Sequence, residues 1–236
     1  MAAFNKRSGA LVWKSAIPGG DEAGYASAIV AQGGGHKQYV QLLSKGLVGV
    51  DARTGQFLWR YAAVAKGPAQ FFTPVANGEY VYCGALSVGG GMVRLKPDGA
   101  GVTPEQVYFE RGLPNGPGGA VQLGGYIYGT EVGQALVAAD FATGKVKWKA
   151  ANFGYSSVAS ADGLLFLHLN SGAIVLVEAT PEVFREKGRV TPPAQPKHKL
   201  SGSYPESAYC YPVIANGRLY IRDLETLWVY DIKANR

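Results

Sequence analysis

The sequence predicts an all-β fold: a β-propeller of about five four-stranded antiparallel blades. Three observations carry this reading. A turn-and-tryptophan pattern recurs in register, hairpin signals recur in the same phase, and the composition is that of short strands joined by tight turns. The 236 residues include 33 Gly and 14 Tyr but 2 Met, and 17% are charged. Short Val- and Tyr-rich runs broken by Gly, Asn and Asp suit pleated strands. No stretch of useful length repeats at the 3.6-residue period of a helix.

The first signal aligns FNKRSGALVW at 4–13, VDARTGQFLW at 50–59 and ADFATGKVKW at 139–148. In each, Asn or Asp is followed four residues later by Gly and eight residues later by Trp. The triplets are Asn5, Gly9, Trp13; Asp51, Gly55, Trp59; and Asp140, Gly144, Trp148. The first two Trp are 46 residues apart and the next two 89, close to twice that, so a degenerate copy is expected around LKPDGAG at 95–101. A side-chain oxygen at the Asp position can accept backbone N–H bonds in a turn. Gly supplies the positive φ such a turn needs. The Trp is then a flat apolar wedge between neighbouring blades. These residues, with Asp231, read as structural rather than catalytic.

The second signal is a set of hairpins: TPVANGEYVYCG (73–84), AVQLGGYIYG (120–129), SVASADGLLFLH (157–168), YPVIANGRLYI (211–221) and the longer AIVAQGGGHKQYVQLL (28–43). Asn-Gly and Asp-Gly are favoured hairpin turns. A third strand follows each hairpin, as in GLVGVD (46–51) and LWVYD (227–231), and the Trp strand comes after it. The expected blades cover about 25–61, 71–110, 117–149, 155–190 and 208–236, all in one domain, with 10–15 as an orphan outer strand. The Pro-rich, basic stretch 187–207 reads as an insertion between the last two blades.

The spacing A-x-D-x-x-T-G-x-x-x-W resembles the tryptophan-docking repeat of propellers with pyrroloquinoline-quinone (PQQ)-like repeats. Ala138 to Trp148 fits it fully, and the copy ending at Trp59 has Gly49 in place of the Ala. That family includes quinoprotein alcohol and glucose-type dehydrogenases. It also includes non-catalytic propellers such as the lipoprotein of the outer-membrane barrel-assembly machinery. The resemblance implies eight blades as the common number, whereas Asn5 to Asp231 spans five periods of about 45 residues. The expectation is therefore an open arc, the C-terminal portion of a longer propeller, in preference to a closed five-bladed ring.

A dehydrogenase of this family would be expected to hold PQQ over a floor Trp, with Ca²⁺ or a lanthanide bound by Glu, Asn and Asp and an Asp acting as base. Several cover the quinone with a vicinal disulfide. Here Trp13, Trp59, Trp148 and Trp228 all fall in repeat strands, no two Cys are adjacent, and no Asp-x-Asp cluster offers neighbouring hard ligands. The expectation is a non-catalytic scaffold or binding module of the bacterial cell envelope, with a protein or glycan partner. No catalytic, metal or cofactor residue is assigned. The alternative is a PQQ- and Ca-dependent dehydrogenase of alcohols or sugars, or a fragment of one.

Loop residues that could converge on a binding face are Asp21, Glu22, Arg111, Glu131 and Asn152. Other chemistry finds little support. The triplets at 33–35 and 89–91 are glycine runs without a P-loop, and the three His lack metal-ligand spacing. The net charge of +6 is dispersed, the densest basic stretch being Lys197, His198 and Lys199, so nucleic-acid binding is not expected. Cys83 and Cys210 both sit in strand-like runs and read as buried free thiols, with a disulfide left open for an exported protein. The N-terminus as written is not a signal peptide, and no run spans a bilayer. A truncated start would place the mature protein in the periplasm or envelope.

Overall fold

The computed structural model describes residues 1–65, 69–193, 210–223 and 225–233. Among these the chain is strand and turn throughout, in two compact units, Met1–Asn115 and Gly116–Arg236. Lys197, His198, Lys199 and most of the expected 187–207 insertion lie outside the described residues.

The first unit opens with a two-stranded sheet, β1 (Ala2–Phe4) and β2 (Leu11–Lys14). Two four-stranded antiparallel sheets follow. One is β3 (Ile29–Gly33), β4 (His36–Leu43), β5 (Gly46–Asp51) and β6 (Phe57–Tyr61). The other is β7 (Val75–Asn77), β8 (Tyr80–Ala85), β9 (Gly89–Asp98) and β10 (Gly101–Glu110).

The second unit holds two more sheets of four and one of three. They are β11 (Ala120–Leu123), β12 (Tyr126–Thr130), β13 (Leu136–Asp140) and β14 (Val146–Ala150); then β15 (Ser156–Ala161), β16 (Leu164–Leu169), β17 (Ile174–Glu178) and β18 (Glu186–Val190). The last is β19 (Val213–Ala215), β20 (Arg218–Asp223) and β21 (Thr226–Asp231). Every sheet runs in chain order through antiparallel neighbours, the meander of a propeller blade.

Strand 11–14 is paired rather than orphaned. Ala3 lies opposite Trp13 and Phe4 opposite Leu11, with a one-residue skip between them. The same skip separates Gly49↔Trp59 from Val50↔Phe57, and Ala138↔Trp148 from Ala139↔Val146. β1 and β2 are therefore the third and fourth strands of a blade. The bulge is what places the Trp opposite the residue two before the Asp or Asn.

The core lies between sheets. Tyr128, Leu136, Val158, Leu165, Leu167 and Val175 bury one such layer in the second unit. Each side chain of this size stabilises the fold by about 1.5–3 kcal/mol when fully buried. In the first unit the glycine run 89–91 makes room for rings. A Cβ on Gly90 would lie 1.9 Å from the Tyr82 hydroxyl oxygen, and one on Gly91 would lie 2.7 Å from Phe109. Cys83 is buried and free, whereas Cys210 is free but exposed, because it lies before β19 and not within a strand.

Candidate functional site

The motif residues build one device several times. Asn5 Oδ1 accepts the N–H groups of Arg7 (2.9 Å) and Ser8 (3.0 Å). Asp51 Oδ1 accepts those of Arg53 (3.0 Å) and Thr54 (2.9 Å) and the Thr54 hydroxyl (2.9 Å). Asp140 Oδ1 accepts the Thr143 N–H (2.9 Å) and hydroxyl (2.8 Å), and Asp231 Oδ1 accepts the Lys233 N–H (3.0 Å). Gly9, Gly55 and Gly144 close the turns at φ 72°, 74° and 72° and donate their N–H back to the carbonyl of the residue at the Asp position.

Trp13 and Trp148 use these or equivalent turns as seats. The Trp13 indole N–H donates to the Ala52 carbonyl (3.3 Å), and its ring lies on Gly55, where a Cβ would come within 2.5 Å of it. Trp148 donates to the Thr180 carbonyl (2.8 Å) and meets Phe184 edge to face. Trp59 departs from the wedge expected of it. It is buried and donates to Gln38 Oε1 of its own sheet. The cause is Gly49: a Cβ there would be 2.2 Å from Trp59 Nε1, so glycine alone lets the ring fold back.

The turn at Asp51 borders a surface groove of about 570 Å³ lined by Gly35, His36, Lys37, Tyr39, Asp51, Ala52 and Arg53. His36 Nδ1 lies 3.1 Å from Asp51 Oδ2. The His36 bond, ahead of the opposing cost of burial and helped by the Thr54 and Arg53 bonds, holds the Asp51 carboxyl at about 2. Sequence spacing missed this pair, because the contact comes from the β4–β5 register that sets Gln38 opposite Asp51.

The five expected loop residues fall in different units and take different roles. Asp21 is almost fully covered and forms a two-pronged ion pair with Arg60, which holds its carboxyl below the usual range; it also accepts the Lys45 N–H (2.9 Å). Glu22 contributes backbone, its N–H donating to the Ser44 hydroxyl (2.8 Å) and its carbonyl accepting from Ser44 N. Arg111 is exposed after β10. In the second unit, buried Glu131 caps its own loop by accepting the Gly133 N–H (2.8 Å). Asn152 turns the chain at φ 55°, and the next two residues, Phe153 and Gly154, donate to the Gln134 carbonyl. The Glu131 and Asn152 loops therefore touch through Gln134.

Another polar cluster in the second unit escaped the sequence reading. The Ser157 hydroxyl donates to the Cys210 carbonyl (2.9 Å), and His168 Nδ1 lies 3.3 Å from the same oxygen. Burial lowers the His168 pKa, which favours the neutral ring. The arrangement pins the chain where it re-enters the last sheet. Among the described residues no group of three or more His, Cys, Asp or Glu is placed to hold a metal ion, and no helix is long and apolar enough to cross a membrane.

The family model described as outer membrane protein assembly factor BamB matches residues 1–102. No curated protein sequence matches the chain. Among solved structures, BamB from Moraxella catarrhalis superposes with a TM-score of 0.67 at 15% identity, over 96% of this chain and 64% of its own length. The computationally designed Ika8 protein gives 0.63 at 8% identity, covering 95% of this chain and 63% of that one. Quinohemoprotein alcohol dehydrogenase from Comamonas testosteroni gives 0.61 at 15% identity, covering 93% and 48%. The chain thus spans less than two thirds of the length of each of these relatives. At such identities the likeness is one of fold, and repeat, sheets and likeness agree: the chain folds as β-propeller blades with PQQ-like repeats, the family match itself resting on residues 1–102.

Proposed function

We propose that the chain is a non-catalytic scaffold or binding module of the bacterial cell envelope, acting on a protein partner. The observation that carries this is the employment of its acidic side chains. Asp51, Asp140 and Asp231 hold repeat turns, Asp21 holds Arg60, and Glu131 caps its own loop. The match to the outer membrane protein assembly factor BamB supports the envelope and a protein partner.

The likeness to a quinohemoprotein alcohol dehydrogenase favours a second reading, oxidation of an alcohol or sugar with PQQ and Ca²⁺. The described residues do not fit that pair of groups. Trp13, Trp59 and Trp148 are committed to repeat contacts, Trp228 packs in the last core, and no acidic cluster stands ready for the metal.

The test is to add PQQ and Ca²⁺ to the whole protein, then follow binding by absorbance and dye-linked oxidation of alcohols and sugars. The scaffold reading expects neither binding nor turnover. Stoichiometric binding with substrate-dependent dye reduction would establish the dehydrogenase instead. Crosslinking in intact bacteria should recover an outer-membrane assembly component.

A further inference from the structure

The bulge register identifies one position in every outer strand. In β2, β6 and β14 it holds Trp13, Trp59 and Trp148. In β10 the residue beyond the skip is Tyr108, opposite Met92 and 6.4 Å from the Tyr82 ring. This is close to the 6.2 Å between Trp148 and Tyr128. In β18 the position is Gly188, opposite Leu176. Among the described residues four outer strands carry an aromatic ring there and the fifth carries no side chain.

The row Phe166–Leu176–Gly188 faces the last sheet, whose Ile214, Leu219, Ile221 and Trp228 pack with Phe166 and Leu176 in one cluster. Between these sheets runs a groove of about 560 Å³, with Leu164 and Phe166 on one wall and Ile214 and Ile232 on the other; Asp162, Gly217 and Lys233 also line it. Ile232 follows Asp231 as Ala52 follows Asp51, and over the described residues the two turns begin alike. Ile232 N donates to the Gly217 carbonyl as Ala52 N donates to that of Lys37. Trp13 seats its indole on the Ala52 carbonyl, and Ile232 supplies the corresponding carbonyl in the last sheet. A Cβ on Gly188 would meet nothing within 4 Å, and two polar groups on the facing strand, Trp228 Nε1 and Tyr230 Oη, are buried without a hydrogen-bond partner among the described residues.

We infer that this groove is a docking slot for the tryptophan side chain of a partner protein, presented on an extended segment. The molecule itself supplies the precedent for the occupant. At two other sheets an indole from the corresponding outer-strand position sets its N–H on a turn carbonyl, and that of Trp148 also packs on the apolar layer between sheets. Exposed aromatic anchors of this kind carry much of the energy of protein interfaces. The inference rests on the binding-module reading for the source of the tryptophan, and on the geometry alone for the slot.

The whole protein is titrated with a fluorinated N-acetyl-tryptophanamide, and with the peptide Gly-Ala-Leu-Val-Trp-Lys-Ser carrying the same ring, by fluorine NMR. Saturable binding with a Kd of about 1 mM or tighter is expected, together with shifts in the methyl resonances of Ile214 and Ile232. Gly188→Trp supplies the ring in cis and should weaken probe binding at least about tenfold, while Gly188→Ser leaves it unchanged. An absence of saturable binding, shifts that bypass Ile214 and Ile232, or equal affinity in Gly188→Trp overturns the slot. The methyl shifts need no variant, so a misfolded Gly188→Trp protein leaves the test intact. A PQQ-loaded dehydrogenase would remove the scaffold reading without touching this titration.

Discussion

Two junctions in the first unit join neighbouring sheets by different means. Where β1–β2 meets the sheet β3–β6, the link is a tryptophan on a turn: Trp13 lies on Gly55 and bonds Ala52. Where β3–β6 meets β7–β10, the receiving turn is absent, because β9 and β10 continue as a hairpin of two ten-residue strands through Asp98 and Gly101. That hairpin reaches the β3–β4 turn instead. Gly34 N donates to the Leu95 carbonyl (3.0 Å), and Val102 presses so close to Gly34 that a Cβ there would be 2.6 Å away. Lower down, the Tyr61 hydroxyl donates to Gln106 Oε1 (2.7 Å). Without a seat ahead of it, Trp59 folds onto Gln38, whose amide donates to the Gly33 carbonyl (3.0 Å). A repeat can lose its docking turn and keep its tryptophan, provided a neighbouring glycine admits the ring and a longer hairpin takes over the junction.

The largest effect should separate the two tryptophans. Trp59→Ala empties a fully packed site and should cost about 3–5 kcal/mol, whereas partly buried Trp13 should cost less on truncation. Urea midpoints followed by far-UV circular dichroism give both numbers. Equal losses would mean that the folded-back ring is no better packed than the docked one.

The next effect addresses the cause assigned to the difference. Gly49→Ala drives a methyl into Trp59 and should destabilise by about 1–3 kcal/mol. The reciprocal change in the second unit, Ala138→Gly, should cost only about 0.5–1 kcal/mol, the strand penalty of glycine. If Gly49→Ala were neutral, Trp59 would have another place to go, and its orientation would owe nothing to that glycine. Val102→Ala then probes the replacement junction. Removing two buried methyl groups should cost roughly 1.5 kcal/mol and expose the β3–β4 turn to hydrogen exchange, leaving the Asp51 turn protected.

Much of this was legible in the sequence. Asp51, Gly55 and Thr54 announce their turn because every bond in it is local, and Asp140, Gly144 and Thr143 repeat it. The four-stranded sheets follow from the same periodicity. Trp59 was misjudged because its fate depends on what the following sheet lacks. Asp21 and Glu131 looked like binding residues because loop position says nothing of a partner such as Arg60, 39 residues away, or of a carboxylate folded onto its own loop. Gly188 was silent for a simpler reason: its meaning comes from the bulge register, which only pairing with Leu176 reveals.

The smallest effect is the most specific to one turn. Asp51 and Asp140 build the same cap, but only Asp51 also holds a histidine. At Asp140 burial works against the charge, and the Thr143 bonds and Lys147 outweigh it to leave the carboxyl lowered. At Asp51 the His36 bond takes it further, to about 2. A carboxyl lowered on folding stabilises the protein above its unfolded value near 3.8 and loses that contribution as pH falls through the folded value. The native protein should therefore lose stability between about pH 4 and 2, and His36→Gln should flatten that slope by roughly 1 kcal/mol, allowing for partial solvent screening. Asp140→Asn should change the slope less than Asp51→Asn does. Urea midpoints from pH 5 to 2 read all four proteins. An unchanged slope in His36→Gln would show that the turn's own N–H groups hold Asp51 charged, and the two turns would then be electrostatic equals as well as structural ones.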